Sequence, residues 1–177
     1  VYHCQLYYRL GEKNWGFSMP QDMINSMGSD KYQVRLDTRF EQGTMKVLEY
    51  HLPGHSKETI IINAHNCHAG QANDDISGIA VGIEVMKRLS QMKERRYSYR
   101  LIIAPEHFGT VFYTAALAKD EIQKIKYGVF IESVGNDNRL ALQSSFNGDT
   151  EIDIAADHYL QLTEPGYQRT EMRELVG

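Results

Sequence analysis

Residues that bind metals or move protons gather at the ends of three apolar runs. Thr59-Ile60-Ile61-Ile62-Asn63-Ala64 leads into His65, with Asn66, Cys67 and His68 directly after it. Asn73-Asp74-Asp75 follows a few residues on. Tyr99-Arg100-Leu101-Ile102-Ile103-Ala104 leads into Pro105-Glu106-His107, and Tyr127-Gly128-Val129-Phe130-Ile131 leads into Glu132. Imidazoles and carboxylates in this number are the ligand types of a zinc site, which is roughly tetrahedral and keeps one position open when it is catalytic. Each residue has a plainer role when taken alone. A histidine after a strand is usually a loop residue, Asp74 or Asp75 before a helix suits an N-cap, and Glu106 suits solvation. Their joint arrival at three successive run ends is what points to a site.

The elements that must position them follow from periodicity. Short continuous β-branched runs fit strands buried on both faces of a sheet, which places 59–64, 99–104 and 127–131 in its middle. Between the first two, Ile76, Ile79, Ala80, Ile83, Met86 and Leu89 recur at helical spacing, predicting an amphipathic helix over 76–92. A second helix is expected from about Val111 to Lys119, continued through 120–126, and a third over Ile152–Leu162. Tyr32, Val34 and Leu36 alternate with polar residues and read as a strand. Glu41-Gln42-Gly43 reads as a hairpin turn into a partner strand over Met45–Leu52, which Pro53-Gly54 ends. Arg139–Gln143 is expected as an edge strand. Residues 1–30 form an irregular segment with a short strand near Tyr7–Leu10 and a turn or two of helix over Gln21–Met27 after Pro20. Alternating strand and helix is the pattern of an α/β domain, whose ligands sit beyond the carboxyl ends of the strands.

The motifs resemble those of the zinc aminopeptidase and glutamate carboxypeptidase superfamily. That pattern is a strand ending in His, then Asp-x-x-Ser-Gly opening a helix, then a strand ending in Glu-Glu-x-Gly and another in acid-x-x-Gly. The counterparts are His65, Asn73-Asp74-Asp75-Ile76-Ser77-Gly78, Pro105-Glu106-His107-Phe108-Gly109 and Ile131-Glu132-Ser133-Val134-Gly135. A closer resemblance takes in Trp15-Gly16-Phe17, Leu52-Pro53-Gly54, the stretch from Ala64 to Gly78, and Ala104-Pro105-Glu106. It is to a bacterial group of aminopeptidase-like proteins, some associated with surface-polysaccharide gene clusters. The resemblance implies a three-layer α/β fold of the zinc-exopeptidase (phosphorylase/hydrolase-like) kind, with a mixed sheet and helices on both faces. On it, residues 31–177 are the N-terminal portion of such a domain, incomplete at its C-terminal end.

Site roles implied by the resemblance fall on matching positions only. Asp74 takes the place of the metal-bridging aspartate, with a cis peptide to Asp75 in many relatives. Glu106 takes that of the general base, and Glu132 that of a terminal carboxylate ligand. His65 by strand register, or His68 by the Cys-His pair of the closer group, is the imidazole ligand, His68 being slightly favoured. The cofactor implied is zinc, one ion ahead of two. Three departures bear on this. Cys67 stands where the superfamily has an aspartate that orients the histidine. His107 replaces the second glutamate of Glu-Glu, and the last histidine ligand belongs to a segment beyond Gly177.

Composition removes several other functions. The 177 residues carry 19 Lys+Arg against 23 Asp+Glu, a net charge of -4, so no basic surface invites nucleic acid. Lys87-Arg88 and Lys93…Arg95-Arg96 cluster where a helix C-terminus favours cations. No stretch approaches the roughly 20 apolar residues of a membrane span. Cys4 and Cys67 are too far apart for a CxxC motif, so a reducing, cytoplasmic setting is expected. A chain opening on Val1 reads as a fragment or a processed product. The expected function is hydrolysis of a small peptide or amide substrate. A non-catalytic binding module and an amidohydrolase acting on a surface-glycan precursor are the alternatives.

Overall fold

The ladder that organises the protein is built on Thr59–His65, whose three consecutive isoleucines suit a strand covered on both sides. The computed structural model describes residues 2–3, 16–17, 19–29, 31–35, 37, 39, 41–68 and 70–172. It divides into two compact units, Val1–Gln42 and Gly43–Gly177. In the first, β1 (Tyr2–His3) pairs antiparallel with β2 (Gly16–Phe17), and α1 spans Gln21–Ser26 after Pro20. The strand expected near Tyr7–Leu10 lies outside the described residues.

The second unit runs β3 (Leu48–Leu52), β4 (Thr59–His65), α2 (Ile76–Gln91), β5 (Ser98–Ala104), α3 (Phe108–Ala116), α4 (Lys119–Lys124) and β6 (Ile125–Phe130). It ends with β7 (Ala141–Gln143), α5 (Glu151–Thr163) and β8 (Gln168–Thr170). The main sheet has the order β3-β5-β4-β6, with β4, β5 and β6 parallel and β3 antiparallel to β5. It is a four-stranded mixed α/β sheet. β7 and β8 form a separate parallel pair, so Ala141–Gln143 is not an edge of the main sheet.

From β4 the chain moves one way along the sheet to β5, then back past β4 to β6. Right-handed crossovers therefore require the two connections to run over opposite faces. Side-chain contacts agree. α2 packs on the face of Ile62 and Leu101, which form the core with Leu52 and Met86. α3 meets the other face, where Thr110 Oγ1 lies 3.0 Å from Asn63 Nδ2 and Tyr113 takes a hydrogen bond from Arg100.

Three expectations are corrected. The run at 127–131 is not a buried central strand, because β6 is an edge of the four-stranded sheet and is mostly exposed. The predicted hairpin is absent among the described residues: 31–35 form no strand and are exposed, and β3 pairs with β5. That pairing sets Leu52 opposite Tyr99 and carries it into the core, a larger gain than a short local hairpin offers. The buried stripe of α2 also differs, running through Gly78, Gly82 and Met86 while Ile76 and Ile83 stay exposed. A Cβ on Gly82 would stand 2.8 Å from Leu101 Cδ1, so the bare backbone itself presses on the sheet.

α5 begins with a capping box in which Thr150 Oγ1 accepts from Asp153 N–H and Asp153 accepts from Thr150 N–H. Burial alone would raise the Asp153 carboxyl, but bonds from Ser145 and Thr150 outweigh it and hold it at about 2. Its value in the folded chain is thus below that in the unfolded one, so the stabilisation is complete above about pH 4. It disappears as the pH falls through about 2. Thermal unfolding followed from pH 5 down to pH 2 should show a loss of Tm that is distinctly smaller in Asp153→Asn.

Candidate metal centre

His65 closes β4 with 1% of its surface exposed, stacked at 6.1 Å on Phe130 from the neighbouring strand. The ladder continues one bond beyond each strand end. Asn66 N–H donates to Ala104 O and Ile131 N–H to Asn63 O, so β4, β5 and β6 all deliver their following residues to one edge. This is where His65, Glu106 and Glu132 meet, each offering a ligand atom within 4.8 Å of the others. His65, Cys67 and His68 make a second such group.

Asp74 stands between the two imidazoles. Its Oδ1 lies 2.7 Å from His65 Nε2 and its Oδ2 lies 3.3 Å from His68 Nε2. Glu132 Oε1 is 4.0 Å from the same His65 Nε2. Although Asp74 is close, buried Nε2 has no hydrogen-bond partner among the described residues. A buried imidazole nitrogen that faces oxygens without bonding them fits a divalent cation with nitrogen and oxygen ligands. The electrostatics fit it too. Partial burial pushes the Glu132 carboxyl up, and the charges of Glu106, Asp74 and Asp75 push it further, against His65. Such crowding of carboxylates is relieved by a cation.

Asp75 holds this end of the sheet together. It is fully buried and joined to Asp74 by a cis peptide bond. Its Oδ2 accepts from His65 N–H at 3.1 Å, and its Oδ1 accepts from Gly78 N–H at 3.0 Å and Ser133 N–H at 3.1 Å. Asp75 is thus the N-cap of α2 and a good deal more. Ser133 has φ 53, a left-handed turn that sends successive N–H groups toward α2. Val134 N–H reaches Ser77 Oγ at 3.1 Å and Gly135 N–H reaches Asn73 Oδ1 at 2.6 Å. A Cβ on Gly78 would fall 2.4 Å from both Asp75 Oδ1 and Ile131 O, which explains the glycine after Ser77.

Two of the three departures from the superfamily pattern have clear places. Cys67 is exposed, with Sγ 3.3 Å from His65 Nδ1, where an orienting group would stand. Desolvation pushes its thiol up; the main chain of Glu106 opposes this, and the charges of Glu106, Asp74 and Glu132 add to it. His107 is well exposed and belongs to neither metal-capable group; its Nε2 lies 3.4 Å from Glu106 Oε1. With φ 56, ψ -65 and Phe108 N–H donating to Glu106 O at 2.7 Å, it is the middle of a positive-φ γ-turn. The sequence motifs include Asn73 and 133–135, but sequence reasoning gave no role to the Asn73 side chain, to the clamping N–H groups or to this strained turn.

Two substitutions test this scaffold in urea unfolding of the protein. Gly78→Ala should lower stability by about 1–3 kcal/mol, because a methyl has no room beside Asp75. His107→Gly should raise it by about 1 kcal/mol, because the turn then loses its side-chain clash.

Comparison with known proteins follows the same lines. A Clostridium acetobutylicum protein, provisionally assigned to polysaccharide biosynthesis with an aminopeptidase-like domain, is 33% identical over 154 residues. The match takes in 87% of this chain and 34% of that protein. A crystal structure of a provisionally assigned peptidase from Clostridium acetobutylicum superposes with a TM-score of 0.78 at 30% identity. It covers 92% of this chain and 38% of that one, so the chain spans about a third of the length of these relatives. The family model described as "Domain of unknown function (DUF4910)" matches residues 8–176, and the chain belongs to that family.

Proposed function

We propose that this chain is the N-terminal portion, from about residue 31, of a three-layer zinc-exopeptidase-like domain that hydrolyses a peptide or amide bond. The observation that carries the reading is His65 Nε2, buried and without a hydrogen bond, facing Asp74 and Glu132. His65, Asp74 and Glu132 would hold one zinc ion, with His68 on the other oxygen of Asp74. Zinc in that place would polarise the scissile carbonyl and lower the pKa of the attacking water toward about 7.

The remaining work falls to side chains of this chain. Glu106, on the neighbouring strand end, takes the proton of the attacking water and returns it to the leaving amine. Glu132 also faces the free α-amine of a bound substrate. Cys67 orients His65 through Nδ1, and Asp75 fixes the main chain on which His65 and Ser133 stand. The similarity to a protein assigned to polysaccharide biosynthesis favours one second reading, hydrolysis of an amide on a glycan precursor by the same groups.

Metal analysis and turnover of the full-length protein test both. Zinc should be present, and Glu106→Gln should keep it while losing about 10²–10⁴-fold in turnover. Protein devoid of zinc at any stoichiometry would end both hydrolase readings, and an active Glu106→Gln would remove Glu106 from its role. Aminoacyl anilides compared with N-acyl sugars separate peptide from glycan substrates.

A further inference from the structure

After β6, residues of the segment 132–141 line an open cavity of about 550 Å³ together with Gln168 at the start of β8. The volume suits a small-molecule group. Its charged lining among the described residues is one carboxylate, Glu132, and one guanidinium, Arg139. Asn136, Asn138 and Gln168 add neutral amides.

Arg139 is exposed at the rim of this cavity and held in place by the main chain. Its Nη1 donates to Gly166 O at 3.3 Å. Gly166 has φ +90, and a Cβ there would stand 2.5 Å from Nη1, so the guanidinium lies directly against bare backbone. Arg35, Arg39, Arg88, Arg100 and Arg169 each face a carboxylate, whereas Arg95 bonds main-chain carbonyls and Arg96 lies over the Tyr97 ring. Arg139 faces none among the described residues. A guanidinium has five N–H donors in a fork that matches a carboxylate, so one carbonyl leaves most of its capacity open to the cavity.

An amine suits an oxygen of Glu132, and a carboxylate suits the Arg139 fork. A ligand with an amine toward Glu132 and a carboxylate toward Arg139 satisfies both. We infer that the cavity beside Glu132 is a substrate pocket in which Arg139 selects a carboxylate, so that the residue bearing the free amine is acidic. The inference rests on the aminopeptidase-like reading above for the placement of the amine.

Two isosteric probes test it on the full-length protein by calorimetry. Glutamic acid α-amide carries a free amine and a side-chain carboxylate, while glutamine α-amide carries a neutral amide in the carboxylate's place. The acidic probe should bind about tenfold tighter or better, Arg139→Gln should erase the difference, and Arg139→Lys should keep part of it. Equal affinities, a preference that survives Arg139→Gln, or failure of the acidic probe to bind at millimolar concentration would overturn the inference. Hydrolysis of glutamyl and glutaminyl anilides is measured alongside. A binding preference without any hydrolysis leaves the carboxylate pocket standing and removes the peptidase reading instead.

Discussion

Asp75 places an ionisable carboxylate where no solvent reaches it, and three main-chain N–H groups converge on its two oxygens. A buried carboxylate is tolerated only when such bonds replace its hydration. Here the donors come from the end of β4, the first turn of α2 and the loop after β6. One side chain therefore ties together the segments that carry His65, Asp74 and Glu132. The nearby residues serve that tie: Gly78 leaves room for the carboxylate, and Ser133 turns so that its N–H can reach it.

Around this fixed point the chemistry is asymmetric. Asp74, next to Asp75, is half-exposed and divides its two oxygens between two imidazoles of very different burial. His65 is enclosed and leans on Phe130, while His68 is open to solvent at 44% side-chain exposure. Glu106 and Glu132 bring negative charge to the same edge, where partial burial first and then the charge of Glu106 push the Glu132 carboxyl up. The superfamily pattern would add two more carboxylates at 67 and 107. A thiol and an exposed imidazole stand there instead, so this edge carries less negative charge than the pattern would give it.

Much of this was legible in the sequence because strand ends are easy to find. Three β-branched runs marked β4, β5 and β6, and the polar residues after them had to share an edge once the strands were parallel. The rest was hidden for physical reasons. The tight side of α2 is lined by Gly78 and Gly82, which add nothing to an apolar stripe, so periodicity pointed to Ile76 and Ile83 instead. β3 was assigned to a local hairpin because pattern reasoning favours near neighbours, whereas burial of Leu52 is gained only beside β5. Asp75 read as a helix cap, which it is, but its bonds to His65 and Ser133 depend on the folded sheet. The roles of individual site residues rest on resemblance and geometry together.

The clamp between the start of α2 and the loop after β6 has one more consequence. Its bonds join residues 58, 57 and 62 positions apart, so nothing local can form them. Closing loops of that length costs chain entropy that only the completed parallel sheet repays. A nascent or partly unfolded chain has the same histidines and carboxylates, but not their arrangement. The metal-capable edge is therefore a property of the finished fold, and ions that merely associate with loose acidic segments meet no preformed site.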